Sequence, residues 1–229
     1  MQEETIKTDA LKKWIAEAGE TISFQKDEAI YMDVMKADRL LLIQTGNVRL
    51  NKLTSEGREL TLQICKPGDL IGELALYTGQ LNFSANAWAI DNVSALYVKQ
   101  TLLEKNLSSD ALLATEFMKF MGENFRKNQS KFRDLLLHGK KGALYSTLIR
   151  LSNTYGINRD DSILIDLPLT NQELGNFCGL TRENVNRILS ELKKADVVSV
   201  TESKITIHDL EFLRCVFHCE DCPITICRL

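Results

Sequence analysis

The apolar positions of this chain follow two textures in turn. Near the start, Leu11, Trp14, Ile15 and Ala18 recur at helical spacing and predict one short helix within the first twenty residues. From Thr21 to Val98 the pattern breaks into short runs rich in Ile, Leu and Val, such as RLLLIQ, VRLNKL, LTLQI and ALYV. Turn chemistry separates them: TGN, SEGRE, KPGD and TGQ carry Gly46, Gly57, Gly68 and Gly79, each eleven residues from the last. Strands at such regular intervals predict an antiparallel sandwich, barrel or jelly roll. Hairpins of equal length account for the period without a tandem repeat.

From about Ser108 the period becomes helical. Ser108, Ser109 and Asp110 are candidate N-caps, and Leu113, Phe117, Met121, Phe125, Asn128, Phe132 and Leu135 follow at spacings of three and four. His138-Gly139 offers an end. About 29 residues at 1.5 Å each rise roughly 43 Å, too long for a domain of this size to bury alone. The stripe therefore points to pairing with a second copy; a helix packed on its own chain's sheet is the competing reading. Beyond it, GALYSTLIRLSNTYG reads as an amphipathic helix closed by Gly156, SILIDLPL as a strand, and VVSV, TESK and ITIH as a hairpin.

Between them lies LTNQELGNFCGLTRENVNRILSELKK. Thr170 and Glu173 form a capping box that opens a helix whose apolar side is Leu174 and Phe177. Gly175 is small where a second helix crosses, and Gly179 supplies the turn. Thr181 caps the second helix; Val185, Ile188, Leu189 and Leu192 form its inner face, and Arg182, Glu183, Asn186 and Arg187 its outer one. Those four side chains suit a recognition helix in the major groove: Arg pairs with guanine, Glu accepts from cytosine, and Asn pairs with adenine or holds a phosphate. A helical hairpin with no DNA role is the bland alternative, and the following hairpin, as a wing, weighs against it.

Charge adds a little. The net charge is −3, yet residues 119–150 carry eight basic side chains against Glu123 and Asp134. That local excess marks either a polyanion-facing surface or the solvated side of a long helix. No apolar run is long enough to span a bilayer, and MQEETIKTDALKKW is no secretory signal. A reducing cytoplasm is expected, where clustered thiols read as metal ligands or redox groups. Four of the six cysteines, Cys215, Cys219, Cys222 and Cys227, crowd the last fifteen residues as Cys-x3-Cys-x2-Cys-x4-Cys. Iron–sulfur clusters and zinc both accept such spacing, which does not choose between them; His218 is a further donor for zinc, and a disulfide switch is a third reading. No GxSxG or phosphate loop is present, no catalytic constellation emerges, and no enzyme is expected. A thiol redox enzyme built on Cys219-x-x-Cys222 would need a thioredoxin-like context that the tail lacks.

Taken together, a glycine-punctuated β-roll, a long helix and a winged helix-turn-helix resemble the CRP/FNR family of bacterial transcription regulators. GDLIGELAL (68–76) is similar to the family's β-roll signature and TRENVNRIL (181–189) to its recognition helix. The resemblance implies an α+β chain with four parts: a β-roll, cyclic-nucleotide-binding type, over residues 1–107; a dimerisation helix over 108–138; a winged helix-turn-helix over 139–208; and a cysteine-rich tail over 209–229. It implies a homodimer on double-stranded DNA, with Arg182, Glu183 and Arg187 reading a TGTGA-type half-site of a palindromic operator, and RNA polymerase as a partner. Where cyclic-nucleotide members carry an Arg-Ser pair to hold the ligand phosphate, this chain has Phe83-Ser84, so no cyclic nucleotide is expected.

SKFRDLLLHGKKGALYSTLIRLSNTYG and LRCVFHCEDCPITIC further resemble the FNR regulators of Gram-positive bacilli, which hold a [4Fe–4S] cluster at the C-terminus. The implied ligands are Cys219, Cys222 and Cys227 with Asp134 on the long helix, one cluster per subunit, leaving Cys215 a bystander. An oxygen-responsive switch of anaerobic genes, most often an activator, is what that resemblance implies.

Overall fold

The computed structural model describes residues 9–74, 76 and 81–229. They form two compact units, one of residues up to 122 without 59–61, the other of residues 59–61 with 123–229.

The first unit contains α1 (Asp9–Ala18), β1 (Glu20–Phe24), β2 (Ala29–Tyr31), β3 (Asp38–Thr45), β4 (Val48–Leu53), β5 (Glu59–Cys65, which begins in the other unit), β6 (Leu70–Leu74), β7 (Asn86–Ala89), β8 (Val93–Lys99) and α2 (Gln100–Leu107). Its strands make two four-stranded sheets, β1-β8-β3-β6 and β2-β7-β4-β5, the sandwich that the strand spacing predicts. The run RLLLIQ shows why β3 is apolar throughout. Successive side chains on a strand face opposite sides. Leu41 and Ile43 enter the sandwich interior with Tyr31, Val48, Ile71 and Phe83. Leu40 and Leu42 face a second cluster with Leu11, Ile15, Leu103, Leu113 and Phe117 from the helices. Gly46, Gly57 and Gly68 take φ of 81°, 78° and 89°, the left-handed region that turn glycines permit. The turn expected at Gly79 lies outside the described residues.

Helix α3 (Ala111–Leu137) begins three residues later than Ser108. Asp110 is the cap: its Oδ1 accepts from the amides of Leu112 (2.9 Å) and Leu113 (3.0 Å). Ser108 and Ser109 instead bond back to the Lys105 carbonyl of α2. The seven-residue stripe divides: part packs on its own chain, as the competing reading expects, and part is exposed. Leu113 and Phe117 are buried in the first unit's core, whereas Met121, Phe125 and Phe132 are exposed. The reason is geometric. Each step of four residues overshoots a full turn by about 40°, so three such steps from Leu113 to Phe125 wind about 120° around the helix.

The second unit holds α4 (Gly139–Tyr155), β9 (Gly156–Arg159), β10 (Ser162–Ile165), α5 (Asn171–Cys178), α6 (Arg182–Lys194), β11 (Val198–Thr201), β12 (Lys204–Ile207) and α7 (Leu210–Val216). Its sheet runs β11-β12-β10-β9. Gly139, at φ 61°, is the turn between α3 and α4 and also the first residue of α4. Gly156 is no left-handed cap; at φ −73° it is extended and opens β9. This strand escapes pattern reading because all four residues are exposed and show no alternation. The wing hairpin turns on Glu202 and Ser203, both at positive φ (50° and 61°). Helix α7, also absent from the sequence reading, is capped by Asp209, whose Oδ1 accepts from the Phe212 amide at 2.8 Å.

Candidate nucleic-acid interface and candidate metal centre

The helix-turn-helix forms for the reasons its residues suggest. Thr170 Oγ1 accepts from the Glu173 amide, and Glu173 Oε2 accepts from the Thr170 amide at 2.8 Å, the reciprocal pair of a capping box. Gly179 turns the chain at φ 64°. A Cβ on Gly175 would stand 2.5 Å from the Leu180 carbonyl oxygen, so only glycine lets the turn close against α5. Thr181 caps α6, and Val185, Ile188, Leu189 and Leu192 bury its inner face.

Arg182, Glu183, Asn186 and Arg187 are all exposed on the outer face. Two of them are already engaged. Asn186 Oδ1 accepts from Asn171 Nδ2 at 3.3 Å, and Arg187 Nη1 donates to Glu191 Oε1 at 3.1 Å. Glu191 also pairs with Lys141 Nζ at 2.6 Å, whose hydrogen bond draws the Glu191 carboxyl below the usual range. Sequence reasoning passed over Glu191; its signal was the spacing of four from Arg187. The pair is solvent-exposed and worth little in stability.

The second site lies where α3, α4 and the tail meet. Asp134 is 2% exposed. Its Oδ2 accepts from Arg150 Nη2 (2.6 Å) and Ser146 Oγ (2.6 Å). Its Oδ1 accepts from Arg133 Nε (3.0 Å) and Nη2 (2.8 Å). Burial works against ionisation here, but the hydrogen bonds from Ser146, Arg150 and Arg133 outweigh it and hold the carboxyl below its ordinary range. Arg133 also pairs with Glu220 and lies 3.8 Å from Cys222 Sγ, and Ser130 Oγ is 3.7 Å from the same sulfur. Buried Cys227 has Arg150, Cys219, Cys222 and Asp134 as its electrostatic neighbours. Burial pushes the thiols of Cys219 and Cys227 up.

The structure thus places Cys227 near Asp134, Cys219 and Cys222, and Cys222 beside Ser130 and Arg133. Cys215 sits exposed on α7, and His218 follows that helix at φ 54°. All six thiols are free. Among the described residues, no three His, Cys, Asp or Glu side chains stand close enough to hold a metal ion in this arrangement. The donor chemistry still fits a thiolate-bound metal or cluster: three thiols and one carboxylate share a neighbourhood, with two guanidinium groups to offset their negative charge. Both Asp134 oxygens accept hydrogen bonds from arginine. Sequence reasoning counted Arg150 only within the basic excess of residues 119–150 and passed over its partners Ser130 and Ser146. The available signals were a charge inside the apolar run LIRL and two pairs at helical spacing of four, Ser130 with Asp134 and Ser146 with Arg150.

In the β-roll, Phe83 is buried and stacks on Tyr31 with ring centroids 3.9 Å apart and an angle of 14° between planes. Ser84 donates to Glu73 through its amide (2.9 Å) and hydroxyl (2.6 Å).

Two family models match: a cyclic nucleotide-binding domain over residues 21–110 and a Crp-like helix-turn-helix domain over residues 142–216. The "Anaerobic regulatory protein" of Bacillus subtilis (strain 168) is 46% identical over 227 residues, covering 97% of this chain and 95% of its own. The chain belongs to the CRP/FNR family of transcription regulators. As a CRP/FNR regulator it is a DNA-binding protein, from a family of regulators and not of enzymes. Solved structures show the same fold: FixK2 from Bradyrhizobium japonicum has a TM-score of 0.72 at 24% identity, covering 87% of this chain and 97% of its own. A mutant of CooA from Carboxydothermus hydrogenoformans has a TM-score of 0.74 at 20% identity, covering 88% of each chain. Among the described residues no helix is long and apolar enough to cross a membrane.

Proposed function

We propose that this CRP/FNR regulator is an oxygen-responsive, cytoplasmic activator of anaerobic genes, switched by one [4Fe–4S] cluster per subunit. Cys219, Cys222, Cys227 and Asp134 are the ligands in this reading. The observation that carries it is the nearness of Cys227 to Cys219, to Cys222 and to the buried carboxylate of Asp134 on α3. The name of the Bacillus subtilis relative supports it. When bound, the cluster supplies an oxygen-labile link between tail and α3. The polypeptide does the rest. Arg133 and Arg150 offset the negative charge of the ligands. Helix α3 pairs two subunits, residues 139–208 present the reading helix, and residues 209–229 carry the switch. Arg182, Glu183 and Arg187 read each half of a palindromic TGTGA-type operator, Asn186 contacts DNA beside them, and RNA polymerase is the downstream partner. The β-roll serves without a cyclic nucleotide: the Phe83–Tyr31 stack stands where a phosphate-binding cation is wanted, and Glu73 is engaged by Ser84.

The test is purification under strict anoxia, with iron and acid-labile sulfide analysis, then operator binding before and after air. Iron, sulfide and a visible absorption near ~400 nm are expected, with binding at least about tenfold weaker after air, a change of ~1.4 kcal/mol. Sulfide-free protein with equal affinity in both conditions defeats the reading; zinc in its place selects a structural-metal tail. At the reading helix, Arg187→Ala is expected to cost ~1–3 kcal/mol of operator affinity and to relax preference at one base pair. Competition among operator variants measures it, and an unchanged preference takes Arg187 out of base reading.

A further inference from the structure

A buried guanidinium is costly to desolvate and persists only when its donors are met. Arg150, in the middle of α4, is 1% exposed. Its Nη2 donates to Asp134 Oδ2 (2.6 Å) and Ser130 Oγ (2.9 Å) on α3, and its Nε to Ser146 Oγ (3.2 Å). Its Nη1 faces the other way, toward the tail carbonyls of Ile226 (3.3 Å) and Arg228 (3.5 Å). One planar fork therefore spans the carboxylate on α3 and the loop that bears Cys227.

We infer that Arg150 is the positioning residue that fastens the cysteine-bearing tail to α4 and to Asp134 through the polypeptide itself. The inference rests on the cluster reading only for what the held groups are used for. Three further observations bear on the holding, and none involves a thiol. Asn153 Nδ2 donates to the Cys227 carbonyl at 2.7 Å. The Leu229 amide donates to Thr154 Oγ1 at 3.1 Å. Within the loop, the amides of Ile226 (2.8 Å) and Cys227 (2.9 Å) both bond to the Pro223 carbonyl, so the segment is a formed turn. Asn153 and Thr154 follow Arg150 on α4, which makes this stretch of helix a docking rail for residues 226–229. A lysine cannot replace the fork, because one ammonium does not reach a carboxylate, a hydroxyl and two carbonyls in divergent directions. These contacts hold residues 226–229 on α4 without any inorganic group, so the link that a bound cluster would add is the one from Cys219 and Cys222 to α3.

Hydrogen exchange on the full-length, metal-free protein tests this. In the wild type the amides of Ile226, Cys227 and Leu229 are expected to exchange at least about tenfold more slowly than an unstructured chain. Arg150→Gln is expected to remove that protection while leaving the β11–β12 hairpin protected, a local loss that general unfolding does not produce. A wild-type tail that exchanges freely overturns the proposal, as does an Arg150→Gln tail as protected as the wild type. Should Arg150→Gln expose the hairpin too, Asn153→Ala decides: it removes only the donor to Cys227, a partial loss confined to residues 226–229 is expected, and an unchanged tail overturns the proposal. In anaerobically purified protein, iron and visible absorption are then followed in air, and a shorter half-life in Arg150→Gln is expected; a half-life equal to that of the wild type overturns the ligand-positioning part. Wild-type protein with no iron defeats the cluster reading alone, since the exchange comparison never uses metal.

Discussion

Phe125→Glu is expected to turn the regulator into a monomer and to weaken operator binding by about a hundredfold or more. Phe125 is 67% exposed on α3, in line with Met118, Met121, Phe132 and Leu136. Met118, Phe125 and Phe132 are seven residues apart, with Met121 and Asn128 between them, the repeat of a two-stranded coiled coil. Regulators of this family act as dimers, and burying one such ring contributes ~1.5–3 kcal/mol. In a twofold interface the substitution occurs twice, and each new carboxylate would be buried without a partner. A monomer then holds a single half-site, and the linkage between the two reading helices is lost. Sedimentation equilibrium and operator anisotropy on the same samples measure both effects. Phe117→Glu is the contrast: Phe117 lies in the first unit's own core, so it is expected to unfold that unit. A Phe125→Glu protein that remains dimeric removes this face of α3 from the interface.

The second large effect is expected at Cys222. Cys222→Ser should leave the anaerobically reconstituted protein with little or no iron, whereas Cys215→Ser should bind as much as the wild type. A hydroxyl is a harder and poorer ligand for iron–sulfur chemistry than a thiolate, and Cys222 is the thiol in contact with Arg133 and Ser130 beside Asp134. Cys222 is a cleaner test than Asp134. Asp134→Ala removes a proposed ligand, but it also strips Arg150 of its carboxylate, and a buried charge left without its partner costs ~3–5 kcal/mol. Loss of iron in that variant would have two causes. Iron and sulfide per protein, with thermal unfolding of the metal-free forms, separate ligand loss from damage. Full iron in Cys222→Ser removes that residue from the ligand set.

The contrast between these sites shows what local pattern conveys. The helix-turn-helix was legible residue by residue, because its devices are short-range: a capping box from Thr170 to Glu173, a left-handed Gly179, a Gly175 with no room for a Cβ. The sandwich was legible through strand spacing and turn glycines, which are equally local. The division of the α3 stripe was not, since period alone does not say which neighbour meets a helix face, and the drift of a four-residue step moves Leu113 and Phe125 to different ones. Strand β9 and helix α7 carry little pattern, because one is exposed throughout and the other is only seven residues long. At the candidate metal centre, the thiol spacing was visible but Arg150 was not. Apart from Ser146, four residues away, its partners lie 16, 20 and 76 residues away in sequence, and only the fold brings such separations together.

Helix α6 keeps its two duties on separate sides. The inward residues Val185, Ile188, Leu189 and Leu192 are at most 3% exposed and hold the domain together, while Arg182, Glu183, Asn186 and Arg187 face outward. Outward substitutions away from caps and packed contacts change folding by only ~0.5 kcal/mol or less. On the proposed reading, a lineage carrying this scaffold could shift its promoter preference one outward residue at a time at little cost in protein abundance.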